Sequence, residues 1–74
     1  MGKILDAIEE IAKEKREAGK ELEMTSFRKD RIRDLERKYE RNELDKNEAL
    51  DELEKEFGYH LDKGDYEKVE RNIR

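Results

Sequence analysis

The side chain with the most versatile chemistry in this sequence is that of His60, the single histidine of the 74-residue chain. An imidazole can carry protons near neutral pH or bind a metal ion. Either role needs further ligands or a nucleophile around it, and the sequence has no cysteine and no second histidine. His60 follows an expected helix end, where a histidine interacts favourably with the helix dipole. We therefore interpret His60 as a structural residue.

The closest match to a metal-binding pattern lies between residues 45 and 56, where the polar residues follow the spacing of a calcium-binding loop. That loop needs glycine at its sharp turn, where this sequence has Leu50, and an oxygen ligand where it has Ala49. Both apolar residues instead fit the period of a helix. We therefore expect no calcium site at the matching residues, which are Asp45, Asn47, Asp51 and Glu56.

The rest of the chain offers no other group of residues that would support catalysis. A glycine-rich phosphate-binding loop is missing from the sequence, and its 22 acidic residues are so numerous that no carboxylate pair stands out. We expect a protein that is not an enzyme, with no catalytic residue, no metal, no cofactor and no small-molecule substrate.

The composition first raises the question of disorder, because 54% of the residues are charged. The net charge is nevertheless only −4, and acidic and basic residues alternate along the chain at spacings that support helices. Proline, which would interrupt helices, is missing from the sequence. These features predict an ordered helical chain.

The length and the distribution of apolar residues limit the class of protein. A chain of 74 residues is one domain at most, so we expect residues 1–74 to form a single small helical domain. No apolar run reaches the roughly 20 residues that a membrane span needs, and none resembles a signal peptide. We expect a cytoplasmic protein without membrane contact.

The first two helices are predicted at residues 3–23 and 26–41. Apolar residues at alternating four- and three-residue spacing mark the first of them, although Gly19 weakens its second half. Thr25 and Ser26 can cap a second helix. One alternative stays open, because the heptad phase of the first helix continues into the second and allows a single long helix.

Two further helices are predicted at residues 46–57 and 65–72. Asp45 and Glu48 have the spacing of a capping box, and Gly58 suits the left-handed position after a helix end. No segment alternates like a strand. The predicted fold class is therefore all-α, a small helical hairpin or bundle of three to four helices with a long N-terminal amphipathic helix.

The apolar face of the first helix is the strongest candidate for an interaction surface. A helix of residues 3–23 would overhang its shorter neighbours and leave part of this face uncovered. We therefore expect self-association as a homo-oligomer, or docking on a protein partner, through this face. The alternative is that the C-terminal helices fold back over it. The residues concerned are Ile4, Leu5, Ile8, Ile11 and Leu22.

Residues 32–57 resemble the short two-helix SHOCT-type modules of bacterial proteins. Asn42 stands at the turn glycine of that pattern, Leu44 at its turn hydrophobe, Asp45 at its cap and Glu48 at its box acid. Similar hairpins, followed by Gly-Tyr as at residues 58–59, occur in phage structural proteins. The resemblance implies an interaction or oligomerisation module and no catalysis.

Charge is distributed unevenly along the chain. Residues 28–41 contain seven basic and four acidic residues, whereas residues 42–74 contain eleven acidic and six basic residues. The basic segment gives one alternative function, nucleic-acid binding with phosphate contacts from Arg28, Arg31 and Lys38. We favour instead pairing of these bases with the chain's own acidic helices, so a nucleic-acid partner is not expected.

The acidic segment gives a second alternative function. A small acidic helical protein of the kind that phages produce can block a basic, nucleic-acid-binding surface of a host complex by presenting carboxylates in place of phosphates. The candidate acidic face consists of Asp51, Glu52, Glu54 and Glu56, together with Asp62, Asp65, Glu67 and Glu70 of the following segment.

Overall fold

The structure is a computed structural model that describes residues 2–73, and it confirms the all-α class. Four α-helices follow one another along the chain, with a 3-10 turn at Gly58–His60 before the last of them. The helices are α1 (Lys3–Glu17), α2 (Ser26–Glu40), α3 (Lys46–Phe57) and α4 (Lys63–Asn72).

Local capping signals fix most helix boundaries. The hydroxyl of Thr25 accepts a hydrogen bond from the backbone N–H of Arg28, which starts α2 and excludes the single long helix. Asp45 and Glu48 form the expected capping box at the start of α3. Sequence reasoning missed a second capping box, in which Asp62 and Asp65 start α4 two residues earlier than predicted.

The predicted first helix, residues 3–23, is too long, because α1 ends at Glu17. Gly19 has a φ of +81°, a left-handed conformation that stops the helix and that glycine adopts at little cost. The chain then runs through residues 18–25 without helical structure, and Leu22 is buried in the core. Helix α1 therefore has the same length as α2 and does not overhang it.

The four helices form an antiparallel ring in which α1 lies between α2 and α4, and α3 lies opposite α1. At one end of the bundle, the side-chain amide of Asn72 donates a hydrogen bond to the Lys3 carbonyl at 2.8 Å. Towards the other end, the ammonium of Lys15 lies 2.9 Å from a carboxylate oxygen of Asp65. Consecutive helices that are joined by short connections usually pack antiparallel to each other.

The core lies along the axis of the ring and receives one apolar stripe from each helix. Ala49, Leu53 and Phe57 of α3 are spaced by four residues and are fully buried, as the period of an amphipathic helix requires. The Tyr39 hydroxyl closes one end of the bundle by donating a hydrogen bond to the Ile73 carbonyl at 3.1 Å.

Candidate functional site

The residues predicted to form an interaction face lie inside the molecule, which corrects that part of the prediction. Ile4 and Ile8 are 0% exposed and Ile11 is 1% exposed, because α2 and α4 of the same chain cover them. Leu22 is also buried, and Leu5 is half-buried at the edge of the same core. The C-terminal helices therefore fold back over the stripe, and it is not available to a partner while the bundle is folded.

The three predicted phosphate contacts are each engaged with acidic residues of the same chain. Arg28 and Arg31 both pair with Glu56 of α3, at 3.7 Å and 3.4 Å. The Arg28 guanidinium also lies 4.9 Å from the centre of the Phe57 ring. Lys38 lies 3.9 Å from Asp34, one turn earlier on α2. Arg28 and Arg31 thus pair with an acidic helix of the same chain, whereas Lys38 pairs within α2.

The four α3 residues of the predicted acidic face are divided between two sides of that helix, which corrects this part of the prediction. Glu52 and Glu56 border the depression between α2 and α3, together with Arg31. Glu54 borders a different groove, between α3 and α4, and Asp51 borders neither. A helix turns by 100° per residue, so a run of acidic residues does not share one face.

A groove with a volume of about 630 Å³ lies between α3 and α4. It lies where two neighbouring helices pack least closely. Its floor and walls are mostly apolar and aromatic, and its rim is acidic. The residues that define it best are Leu50, Leu61, Tyr59, Tyr66, Glu54 and Glu67.

The connection between α3 and α4 contributes several of the residues that line this groove. Gly58 ends α3 with a φ of +53°, the positive φ expected of a glycine at this position, but its ψ of −128° lies outside the left-handed α region that the sequence predicted. The 3-10 turn then directs Tyr59 outward, whereas Leu61 is buried in the core. The Tyr66 hydroxyl donates a hydrogen bond to the Gly58 carbonyl at 2.7 Å, which fixes its ring as one wall.

The rim of the groove carries negative charge that no salt bridge among the described residues neutralises. Among the salt bridges formed within residues 2–73, none involves Glu54 or Glu67. Partial burial, and then the nearby carboxylates of Glu54 and Asp65, raise the pKa of the Tyr66 hydroxyl above its ordinary value of 10.0. The groove is therefore an apolar cleft in a negative environment.

Two large aromatic side chains are exposed among the described residues, and both lie at the same end of the bundle. Tyr59 is 91% exposed and stacks loosely on His60, with their ring centres 4.6 Å apart. Phe27 is 68% exposed at the start of α2, with the Arg31 guanidinium 5.2 Å from its ring centre. Of the two, Tyr59 borders the groove.

Sequence reasoning did not single out Tyr59 as a site residue. In the sequence, the Gly58-Tyr59 pair supports only the resemblance to phage hairpins, and the interpretation of His60 does not involve Tyr59. One feature of the sequence could have identified Tyr59. It is an aromatic residue that directly follows the glycine at a helix end, and its position does not fit the spacing of any apolar stripe. Such a residue has no place in the core.

Within residues 2–73, each helix is too short and too polar to cross a lipid bilayer. Comparisons of the chain with protein-family models, with curated proteins and with solved structures gave no match.

Proposed function

We propose that this protein is a non-enzymatic protein–protein interaction module that binds its partner through the groove between α3 and α4. The observation that carries the proposal is Tyr59, which is 91% exposed on the rim of a groove with apolar walls. Exposing a tyrosine to this extent contributes nothing to the core, whereas tyrosine is enriched among the residues that dominate binding energy at interfaces.

Three further features support this function. The groove has the size of established binding clefts, which enclose about 300–1,000 Å³. Its walls are held by the Tyr66 hydrogen bond to Gly58 and by the capped start of α4, so little ordering is needed on binding. The resemblance of residues 32–57 to SHOCT-type hairpins favours the same class of function.

The test compares Tyr59→Ser with Phe27→Ser in the cells that produce the protein. The proposal predicts that a partner co-purified with the wild type is lost with Tyr59→Ser and retained with Phe27→Ser. Reconstitution of that partner from purified components should show at least about tenfold weaker binding of Tyr59→Ser, as expected for an aromatic anchor. Equal binding of the wild type and Tyr59→Ser would contradict the proposal.

The acidic rim of the groove favours a second candidate function. An inhibitor that covers a basic, nucleic-acid-binding surface would need carboxylates that its own chain leaves free, such as Glu54 and Glu67. This function predicts that the protein and nucleic acid compete for the same partner. Simultaneous binding of both to the reconstituted partner would exclude it.

A further inference from the structure

The walls of the groove indicate that its occupant contributes a large apolar side chain. Leu50 of α3 and Tyr66 of α4 are both half-buried and line the groove together with the buried Leu61. The Tyr66 hydroxyl is already bonded to the Gly58 carbonyl, so the ring offers mainly its apolar surface. An aromatic or long aliphatic side chain would remove the most apolar surface from water at this position.

The rim indicates the charge of that occupant. Three of the lining residues are acidic, and Lys63 is the single basic residue among the groove residues that the structure describes. Glu70 is neutralised by Lys46 at 3.7 Å, which leaves Glu54 on one wall and Glu67 on the other. A neutral occupant would partly desolvate both carboxylates without compensation, whereas lysine or arginine would pair with them.

Building on the proposed function, we infer that the occupant is a cationic amphipathic segment of a partner protein. Its large apolar side chain lies between Leu50 and Tyr66, and its flanking lysine or arginine side chains pair with Glu54 and Glu67. Tyr59, on the rim of the groove, packs against the apolar side chain. This is the arrangement of an amphipathic segment bound in a groove, with charge selecting the partner.

A second copy of this chain fits the groove less well. Outside its own groove, another copy offers the exposed aromatic residue Phe27, and the neighbouring Arg28 and Arg31 already share the carboxylate of Glu56. A facing pair of grooves would bring acidic rims together and repel. The charge around the groove therefore favours a different, basic protein.

The experiment uses the full 74-residue chain, labelled with ¹⁵N, and synthetic helical peptides as probes. The first peptide has one tryptophan flanked by lysines, the second has glutamine in place of each lysine, and the third has alanine in place of the tryptophan. We expect the first peptide to shift the amide signals of Leu50, Glu54 and Tyr66. It should bind about tenfold more tightly than either control at low salt, and less tightly as salt is added.

Matched variants separate local pairing from general attraction. Glu54→Gln/Glu67→Gln should weaken binding of the lysine peptide by about tenfold. The control double variant, Glu17→Gln/Glu40→Gln, removes the same charge from exposed positions outside the groove. It should weaken binding of the lysine peptide by about twofold or less, because only the long-range electrostatic attraction is reduced. Equal weakening by the two double variants would overturn the inference, as would signal shifts confined to residues outside the groove.

The outcomes also distinguish this inference from the proposed function. Equal binding of the glutamine peptide in the groove would overturn the cationic partner but leave the groove as a binding site. Binding of no peptide would overturn the inference, and the proposed function would then depend on the Tyr59→Ser comparison alone. Concentration-dependent sedimentation of the chain without peptide, abolished by Tyr59→Ser, would overturn the inference in favour of a second copy.

Discussion

Glu36 is the buried charged residue among those that the structure describes, and it explains how α1 begins. Gly2 stands at the N-cap of α1 and has no side chain to accept hydrogen bonds from the first turn. A carboxylate oxygen of Glu36, on α2, accepts that bond instead, from the backbone N–H of Leu5 at 2.8 Å. The negative charge also lies at the positive end of the helix dipole. A residue distant in sequence therefore caps α1.

We predict that Glu36→Ala lowers the free energy of unfolding by about 1–3 kcal/mol, because it leaves a partly buried N–H without its charged acceptor. Glu40→Ala, an exposed substitution one turn along the same helix, should change it by less than about 0.5 kcal/mol. Urea denaturation of both variants measures the difference. Similar stabilities would mean that Glu36 does not cap α1.

Tyr66 makes stability depend on pH under alkaline conditions. Burial and nearby carboxylates raise its folded-state pKa above 10.0, so the neutral hydroxyl stabilises the fold fully below pH 10. That contribution is lost as pH rises through the folded-state pKa. We predict that Tyr66→Phe removes a component above pH 10 from the phenolate absorbance titration and makes the stability less dependent on pH above 10. An unchanged titration curve would contradict this.

Among the helices, most boundaries that a local capping residue determines were predicted from the sequence, although the capping box at the start of α4 was missed. Thr25, Asp45 and Gly58 each act through a neighbouring backbone group, and all three boundaries were predicted. The end of α1 was not predicted, because apolar spacing continues to Leu22. That residue reaches the core through a loop and not through a helix. The spacing of apolar residues identifies which side chains are buried, but it does not show whether a helix or a loop carries them.

Gly19→Ala tests where α1 ends. Residue 19 has a φ of +81° and no atoms near its missing side chain, so alanine would strain the backbone without a clash. We predict that the substitution lowers the free energy of unfolding by about 1 kcal/mol. A helix that continued to residue 23 would instead gain about 1 kcal/mol from the same change. Thermal denaturation followed by circular dichroism gives the sign.

At the level of the whole molecule, the apolar stripe of α1 was predicted correctly, but the helices that bury it were not. Heptad spacing shows that Ile4, Ile8 and Ile11 must be buried, and the same spacing suits a partner chain or a neighbouring helix of the same chain. The connections decide between them, because α1 and α2 are of equal length and α4 returns antiparallel to α1. The candidate groove was not predicted for a similar reason, since α3 and α4 create it jointly.

Ile8→Glu distinguishes burial of the stripe within one chain from burial at an interface between chains. Because Ile8 is 0% exposed within one chain, a carboxylate there should cost about 4 kcal/mol or more and unfold so small a domain. We predict loss of the helical circular dichroism signal. Without peptide or partner, the wild type should sediment as a 9.0 kDa monomer. A folded Ile8→Glu monomer from a wild-type oligomer would instead place the stripe at an interface between chains.

Position-specific photo-crosslinking tests the central claim most directly, because it reports which surface the partner touches. A benzophenone amino acid is placed at residue 59 or, in a second variant, at residue 27; both positions are exposed aromatics at the same end of the bundle. Irradiation in the producing cells, followed by mass spectrometry of the adducts, compares them. Our account predicts one discrete protein adduct from position 59, with no counterpart from position 27. The same adduct from position 27 alone, or no adduct from position 59, would contradict it.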